Sequence, residues 1–419
     1  MSADSRFDAD ILIVGAGIIG LAIGVELHRR GRRVVVLDPD GPARGASYGN
    51  AGYLSPASVY PPASYVGLAG LPRLLLDRNG PLVVRPGHLP RFLPWALRML
   101  AANRPGPQQA GVAAVTTLNL HSVRDYAPLL QAAAAQDLID KRGSLAVCGS
   151  PQMLETYRRK ALAQQALGFD CQVVDADEAR ALEPALGGEI AGGVFYADAA
   201  RCADPGQLGE RFAAFIAREG GQLVRSKATS LRPVGAQDWI VHTPQREWRA
   251  RRVVVAAGRW SDALMVPLGY KVPLESERGY HLMLPTPGVA LNRPVVIADA
   301  FFTATPMLSG MRLAGTAEFA AADAPPDARR SWMLYDLARR HLPGLNADQA
   351  RTWMGVRPAL PDARPALGKA SRHDGLYYCF GNHYQGLTQA ATCARMMGHL
   401  LFDEPAPIAL EPFDLKRFE

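Results

Sequence analysis

ADILIVGAGIIGLAIGVELHRRGRRVVVLD, residues 9–38, decides how the rest of the chain is read. Ile11 to Val14 is an apolar, branched run suited to a buried parallel strand, and Gly15, Gly17 and Gly20 follow it in G-x-G-x-x-G spacing. Gly15 permits a tight turn. Gly17, with its neighbours Ala16 and Ile19, lets backbone amides approach a pyrophosphate, and Gly20 allows a helix to pack closely on the strand. The predicted helix Ile18 to Arg30 turns its positive N-terminal end towards the phosphates, and Gly31 stops it. Val34 to Leu37 supplies the second strand. Asp38, at its end, stands where a carboxylate hydrogen-bonds a ribose hydroxyl and disfavours a 2′-phosphate. A glycine triplet alone fits any βαβ unit; strand, glycines, helix, second strand and acid in register point to an adenine dinucleotide.

A chain of 419 residues is long for one core, and two or more domains are expected. Hydrophobic residues at 48% and charged residues at 20% make it globular, and no run approaches the roughly 18 apolar residues of a membrane span. The opening MSADSRFDAD has no basic segment followed by an apolar one, so no secretory signal is expected and a cytoplasmic site is the default. Cys148, Cys171, Cys202, Cys379 and Cys393 lack C-x-x-C spacing, which predicts reduced, buried thiols and no metal site. A net charge of +7 favours acidic surfaces. No basic run with interleaved aromatics and no helix-turn-helix pattern appears, so nucleic acid is not an expected partner, while anionic lipid headgroups stay open.

Further along, strand and helix signals alternate: SLAVCG, then PQMLETYRRKALAQQALG, then QVVD, then DPGQLGERFAAFIAREGG. Such alternation means an α/β architecture. Pro56 to Pro107, rich in proline and apolar residues, reads as an insertion. RRVVVAAGRWS, Arg251 to Ser261, is a second apolar strand whose end at Ala256, Ala257 and Gly258 is small enough to approach a bulky group, or merely to turn.

Three segments in this order resemble the FAD-dependent D-amino-acid oxidase superfamily, and most closely its bacterial D-amino-acid dehydrogenase branch, which includes D-hydroxyproline dehydrogenases. They are the opening motif with RGASYGNAG (44–52), then VVVAAGRWSDAL, and lastly WMGVRPALPDARPALG with YYCFGNHYQGLTQA. The resemblance spans nearly the full chain and implies that the dinucleotide is FAD. In RGASYGNAG, the glycines Gly45 and Gly52, with Ala46, Asn50 and Ala51, would bring backbone N–H groups to the flavin, while Arg44 and Ser47 meet the pyrophosphate. Ala228 holds the family position for adenine recognition, and Ala256, Ala257, Gly258 and Trp260 flank the flavin. Gly386, Leu387 and Thr388 precede a predicted helix, TQAATCARMMGHLL, whose positive end would stabilise negative charge on reduced flavin. No Cys or His adjoins the N-terminal flavin loop, so FAD is expected to be bound non-covalently, with Cys379 near the C-terminal segment the one reservation.

The implied fold is a Rossmann-like FAD-binding domain interwoven with a substrate domain built on a mostly antiparallel sheet. The expected boundaries are 1–60, 106–140, 201–266 and 352–419 for the first, 141–200 and 267–351 for the second, and 61–105 for a helical, proline-rich insertion. The implied chemistry is transfer of a substrate's α-hydrogen as hydride to flavin N5, leaving an imine. Arg357 in GVRPALPD matches the family arginine that grips the carboxylate. Tyr280 and His281 are candidate second contacts, and Arg278 is expected to be structural, held by Glu275 or Glu277. His383, in a loop where the branch commonly carries histidines, is a candidate contact for amine or carboxylate, or a structural donor. Tyr53 either closes the pocket or packs in the core.

The expected substrate is a D-amino acid or a cyclic D-imino acid such as D-hydroxyproline, with a quinone or other acceptor taking the electrons. An oxygen-using oxidase of sarcosine or glycine type and a non-catalytic FAD-bearing subunit are the alternatives. Arg73, Arg78, Arg85, Arg91, Arg98 and Arg104 with Trp95 suggest that the insertion rests on anionic lipid at the inner face of the cytoplasmic membrane, with a lid or a dimer contact as the other readings.

Overall fold

The structure is a computed structural model that describes residues 6–61 and 80–419. Arg73 and Arg78 of the insertion lie outside the described residues. The opening motif forms as its pattern dictates: strand Ala9–Val14, helix Ile18–Arg29 and strand Val34–Asp38, with Gly31 at φ +78° ending the helix. The strand runs parallel to Val34–Asp38 on one side and to Glu247–Val255 on the other, so it lies where successive connections leave in opposite directions. Ligands of open α/β sheets bind at the carboxyl ends of the strands at such a point. Gln222–Arg225 extends the parallel set beyond Val34–Asp38, and Leu376–Phe380 lies parallel to the end of Glu247–Val255.

Helix Ile18–Arg29 is buried along most of its length because it is covered twice, by Pro205–Arg218 and by Gly386–Leu401. Gly24 makes the first contact tight: a Cβ there would stand 2.6 Å from Ile216 Cδ1. The opposite face of the sheet carries a second core around Trp239, Trp248 and Tyr378. Ser144–Cys148, Pro151–Ala166 and Cys171–Val174 take the strand, helix and strand states that their patterns predict.

The other large sheet has nine strands among the described residues and is mostly antiparallel. Glu275–Leu284 runs through it between Gly310–Phe319 and Arg351–Ala359. The last of these strands differs from the expected domain limits, which assign the chain from 352 to the cofactor part. It pairs with Glu275–Leu284 over nine residues, because alternate side chains of both strands meet across the ladder.

The insertion is part of the body of the protein where it is described. Leu82–Val84 pairs with Ala317–Phe319, and helix Leu89–Ala102 packs Phe92 and Trp95 on Phe319 at centroid distances of 4.6 and 5.3 Å. Trp95 donates to the Ala359 carbonyl at 3.2 Å, so it is an internal anchor and not an interfacial one. Arg85 likewise turns inward, to Glu318 at 2.7 Å.

The tightest approach in the motif is between two backbones. A Cβ at Gly20 would fall 2.0 Å from the Gly15 carbonyl oxygen. Gly20→Ala is therefore expected to destabilise the fold by about 1–3 kcal/mol through overpacking, read as a lowered denaturant midpoint. A midpoint equal to that of the wild type would show that the helix can retreat from the strand at no cost.

Candidate active site

A cavity of about 1250 Å³ opens at the carboxyl ends of the parallel strands and reaches the face of the second sheet. That exceeds the usual few hundred to 1,000 Å³ of a small-molecule site, and so leaves room for a dinucleotide as well as a substrate. Its first wall is the opening motif. Gly15, at φ +110°, sits so close to the third strand that a Cβ would be 2.3 Å from the Ala256 carbonyl oxygen. A Cβ at Gly17 would meet only Ser47 Oγ at 3.4 Å, and one at Gly45 or Gly258 would meet nothing within 4 Å, so these turns leave open backbone towards the cavity.

Ile19, Asp38, Ala46, Ser47, Asn50 and Ala51 line the same wall; Ala228, Ala256, Ala257 and Trp260 continue it, and Gly386, Leu387 and Thr388 close it. These last three form the first turn of helix Gly386–Leu401, which starts two residues earlier than its sequence pattern predicts. Helices Ile18–Arg29 and Gly386–Leu401 both begin on the cavity with no hydrogen bond from the side chain of their own N-cap residue, though the Ile18 N–H donates to Ser47 Oγ at 2.9 Å, so two positive helix ends face it. Open glycine turns beside two helix starts fit the pyrophosphate and the pyrimidine edge of FAD.

Other predicted residues work behind this wall. Ala16, Gly20 and Gly52 shape turns without lining the cavity; the Ala16 N–H donates to Asp38 Oδ2 at 2.8 Å, and a Cβ at Gly52 would stand 2.6 Å from the Cys202 carbonyl oxygen. Asp38 also accepts from the amides of Asp40 and Gly41 at 2.9 and 3.0 Å, so it braces the turn while facing the cavity. Burial pushes its carboxyl up, against the pull of those amides. Arg44 does not line the cavity: half-exposed, it pairs with Glu210 at 2.9 Å. Cys379 lines the cavity, and the Cys393 contact together with burial pushes its thiol well up, away from the thiolate that attack on a flavin would need.

The second-sheet wall carries a charged cluster. Arg357 faces Glu277 directly across the ladder, and its Nη1 donates to Glu277 Oε1 at 2.6 Å. Glu277 Oε2 also meets Nε2 of His383. Burial opposes ionisation of Glu277, yet His383 and Arg357 outweigh it and hold the carboxyl down at about 2. The guanidinium lies over Gly279, where a Cβ would be 2.4 Å from Arg357 Cζ; no larger residue leaves that room. Arg357, Glu277, Gly279 and His383 all line the cavity, as do Tyr53, Tyr157 and Tyr384. Tyr53 donates to or accepts from Ser144 Oγ at 2.9 Å.

Two expected contacts change role. Tyr280 lines the cavity, but its hydroxyl donates to Glu318 at 2.6 Å. His281 shares the strand face of Glu277 and Gly279 but does not line the cavity: its ring stacks on Trp353 at 4.9 Å with Nδ1 3.1 Å from the Gly49 carbonyl, and Trp353 and Gly49 line the cavity in its place. Arg278 is structural, though its partner is Glu318, at 2.9 Å, and neither Glu275 nor Glu277. Register explains the exchange, since Glu318 is the residue opposite Arg278. Between Gly279 and Tyr280 that ladder slips by one residue, and the bulged Thr316, at φ +57°, presents itself to the cavity with its buried Oγ1 unpartnered among the described residues. Glu277, Gly279 and Thr316 were not legible as site residues, because cross-strand register is not written in either strand alone.

The chain matches the family described as FAD dependent oxidoreductase (DAO) over residues 10–400. It is 34% identical over 419 residues to a D-amino-acid oxidase of Bradyrhizobium diazoefficiens, covering 97% of this chain and 98% of the relative. A D-amino acid dehydrogenase 2 of Ralstonia nicotianae is 31% identical over 430 residues, covering 97% and 100%. In fold the chain is similar to glycine oxidase from Geobacillus kaustophilus, with a TM-score of 0.77 at 21% identity and 98% of each chain covered. L-proline dehydrogenase from P. horikoshii superposes with a TM-score of 0.76 at 17% identity, again over 98% of each chain. With its cofactor turns, its two sheets and this match along nearly its whole length, the chain belongs to the DAO family of FAD-dependent oxidoreductases.

Proposed function

We propose that this protein oxidises D-amino acids or cyclic D-imino acids, D-hydroxyproline among them, at the carbon that bears the amine. The observation that carries this reading is Arg357, a guanidinium on the wall of the cofactor cavity with Nη1 given to Glu277 and no other hydrogen bond among the described residues. Its remaining edge suits a substrate carboxylate, which a planar fork binds in two-point fashion. FAD, when bound, supplies the acceptor for the α-hydrogen and its electron pair. Tyr53, Tyr157 and Tyr384 enclose the reacting region, and Phe92, Trp95 and Phe319 keep the adjoining wall apolar, which excludes water. The D configuration is supported by the names of both curated relatives.

The proposed electron acceptor is a quinone or comparable carrier. Leu89, Leu93 and Leu97 are exposed along helix Leu89–Ala102, whose other side lines the cavity through Phe92, Trp95, Met99 and Leu100. An apolar stripe on the wall of the cavity suits a lipid surface that delivers an apolar acceptor. No helix among the described residues is long and apolar enough to cross a membrane. Oxygen as acceptor is a second reading, favoured by the relative named an oxidase.

Three outcomes are expected. Anaerobic mixing with a panel of D-amino acids and D-hydroxyproline isomers should bleach the flavin, with the L enantiomers inert, and slow reoxidation by air would set the acceptor apart from oxygen. Bleaching by no member of the panel would refute the substrate class. Arg357→Ala should lower kcat/KM by about 30-fold to several-thousand-fold, the effect of about 2–5 kcal/mol for one member of a desolvated charge pair. Arg357→Lys should recover little of it, with the FAD spectrum intact in both; an unchanged kcat/KM would remove Arg357 from carboxylate binding. Flotation with anionic liposomes should carry the wild type upward, and Leu93→Ser with Leu97→Ser should abolish it; a protein that floats equally well with both serines docks elsewhere.

A further inference from the structure

The carbonyls of Tyr48, Gly49 and Asn50, in the loop 44–52, are all met by two side chains of the second sheet. Arg312 Nη1 donates to the Tyr48 and Asn50 carbonyls at 3.1 and 2.5 Å, and Nδ1 of His281 stands 3.1 Å from the Gly49 carbonyl. Register brings the two donors together, since Arg312 lies opposite Met283 and Ala314 opposite His281. We propose that this clamp tunes the flavin: it turns loop amides towards the cofactor, and the buried charge of Arg312 behind them raises the reduction potential of bound FAD. The inference needs FAD in the cavity but not the amino-acid reading above.

A trans peptide points its C=O and the following N–H in opposite directions, and no cis bond interrupts this loop. Carbonyls drawn to the sheet therefore turn the N–H groups of Gly49, Asn50 and Ala51 the other way. Asn50 gives its amide to the Ser47 carbonyl at 3.3 Å, whereas those of Gly49 and Ala51 have no partner among the described residues, and both residues line the cavity. Only glycine fits the first position: a Cβ at Gly49 would fall 2.0 Å from the Trp353 ring. Two such amides suit an acceptor edge of the flavin, and suit it better once reduction has made that edge more negative.

Arg312 is 6% exposed and carries its charge at any working pH. It makes no ion pair among the described residues, and its Nε is buried without a partner. Asp204 faces it but turns both oxygens to Gln207, at the start of helix Pro205–Arg218. Burial accordingly pulls the guanidinium down from its usual range. A buried cation with no close counter-charge is costly to fold. It is stabilised when a neighbour becomes more negative, as flavin does on taking up two electrons and one proton. His281 does not share this part: burial and the charge of Arg312 hold its imidazole down at about 3, so it is neutral and donates its Nδ1–H to the Gly49 carbonyl. His281 orients the loop; Arg312 orients and charges it.

The test uses two readouts that involve no substrate: the midpoint potential of bound FAD, equilibrated with a reference dye during anaerobic reduction, and the dissociation constant of FAD from the apoprotein. Arg312→Met and Arg312→Gln should each lower the equilibrium constant for reduction of bound FAD about tenfold, a fall of about 30 mV for a two-electron couple. Arg312→Lys should keep most of the wild-type potential. Gln retains a donor for the loop, so it reads the charge even where Met releases the cofactor. His281→Phe should weaken FAD binding about tenfold and leave the potential where it is in the wild type. An unchanged potential in Arg312→Gln overturns the inference, and so does an equal fall in Arg312→Lys or His281→Phe, which would make loop shape and not charge the cause. FAD bound as tightly by His281→Phe as by the wild type removes the clamp. Failure of the protein to oxidise any amino acid touches none of these outcomes.

Discussion

Much of this structure depends on the contact between Gly15 and Ala256, two backbones held too close for any side chain. The turn after the first strand is tied on both sides: the Gly15 N–H donates to the Leu37 carbonyl and the Ala256 N–H to the Val14 carbonyl, both at 2.8 Å. Ala43 adds a bond from its N–H to the Ala16 carbonyl at 2.7 Å. Three strand ends and the loop after Asp38 are thus locked into one floor. Helix Ile18–Arg29 follows without choice of direction, and the cavity is what remains above the floor once the second sheet is placed over it.

The second sheet contributes a different kind of order. Its strand Glu275–Leu284 places Glu277 against Arg357 on one neighbour and Arg278 against Glu318 on the other. Charges of opposite sign meet on both ladders, and each pair is buried or nearly so. Buried pairs of this sort are poor sources of stability, since desolvation offsets most of the attraction. Their value here is positional. Arg278, Tyr280 and Arg85 converge on Glu318 and pin the strand to the insertion, while Glu277 keeps a guanidinium and an imidazole side by side at the cavity.

The inserted helix Leu89–Ala102 has one side on the cavity and another side exposed. Its inner residues pack on Phe319 and wall the cavity, and Leu89, Leu93 and Leu97 face outward. Motion of one such helix would alter both solvent access to the flavin region and whatever contacts the outer stripe. That coupling follows from geometry alone, because a helix cannot turn one face without turning the other.

Residues 9–38 by themselves determined the cofactor half of this protein. Strand period, glycine spacing, helix length and the acid at Asp38 are local properties, and local pattern is enough when each element contacts its neighbours in sequence. The loop 44–52 and the end of strand Glu247–Val255 were also legible, as small residues that must approach something large. Arg357 and His383 could be named, but not what joins them. Glu277 stood in plain view and was read as a partner for Arg278, its neighbour along the chain, when its partners lie 80 and 106 residues away. Trp95 and Arg85 read as a surface anchor and a surface charge, but Trp95 is buried and the part-exposed Arg85 is tied to the buried Glu318. These choices belong to the tertiary structure, because the side of a strand that a residue faces, and the charge opposite it, are set by register between distant segments. A shift of one residue in that register exchanges every facing pair while leaving the sequence pattern of each strand the same.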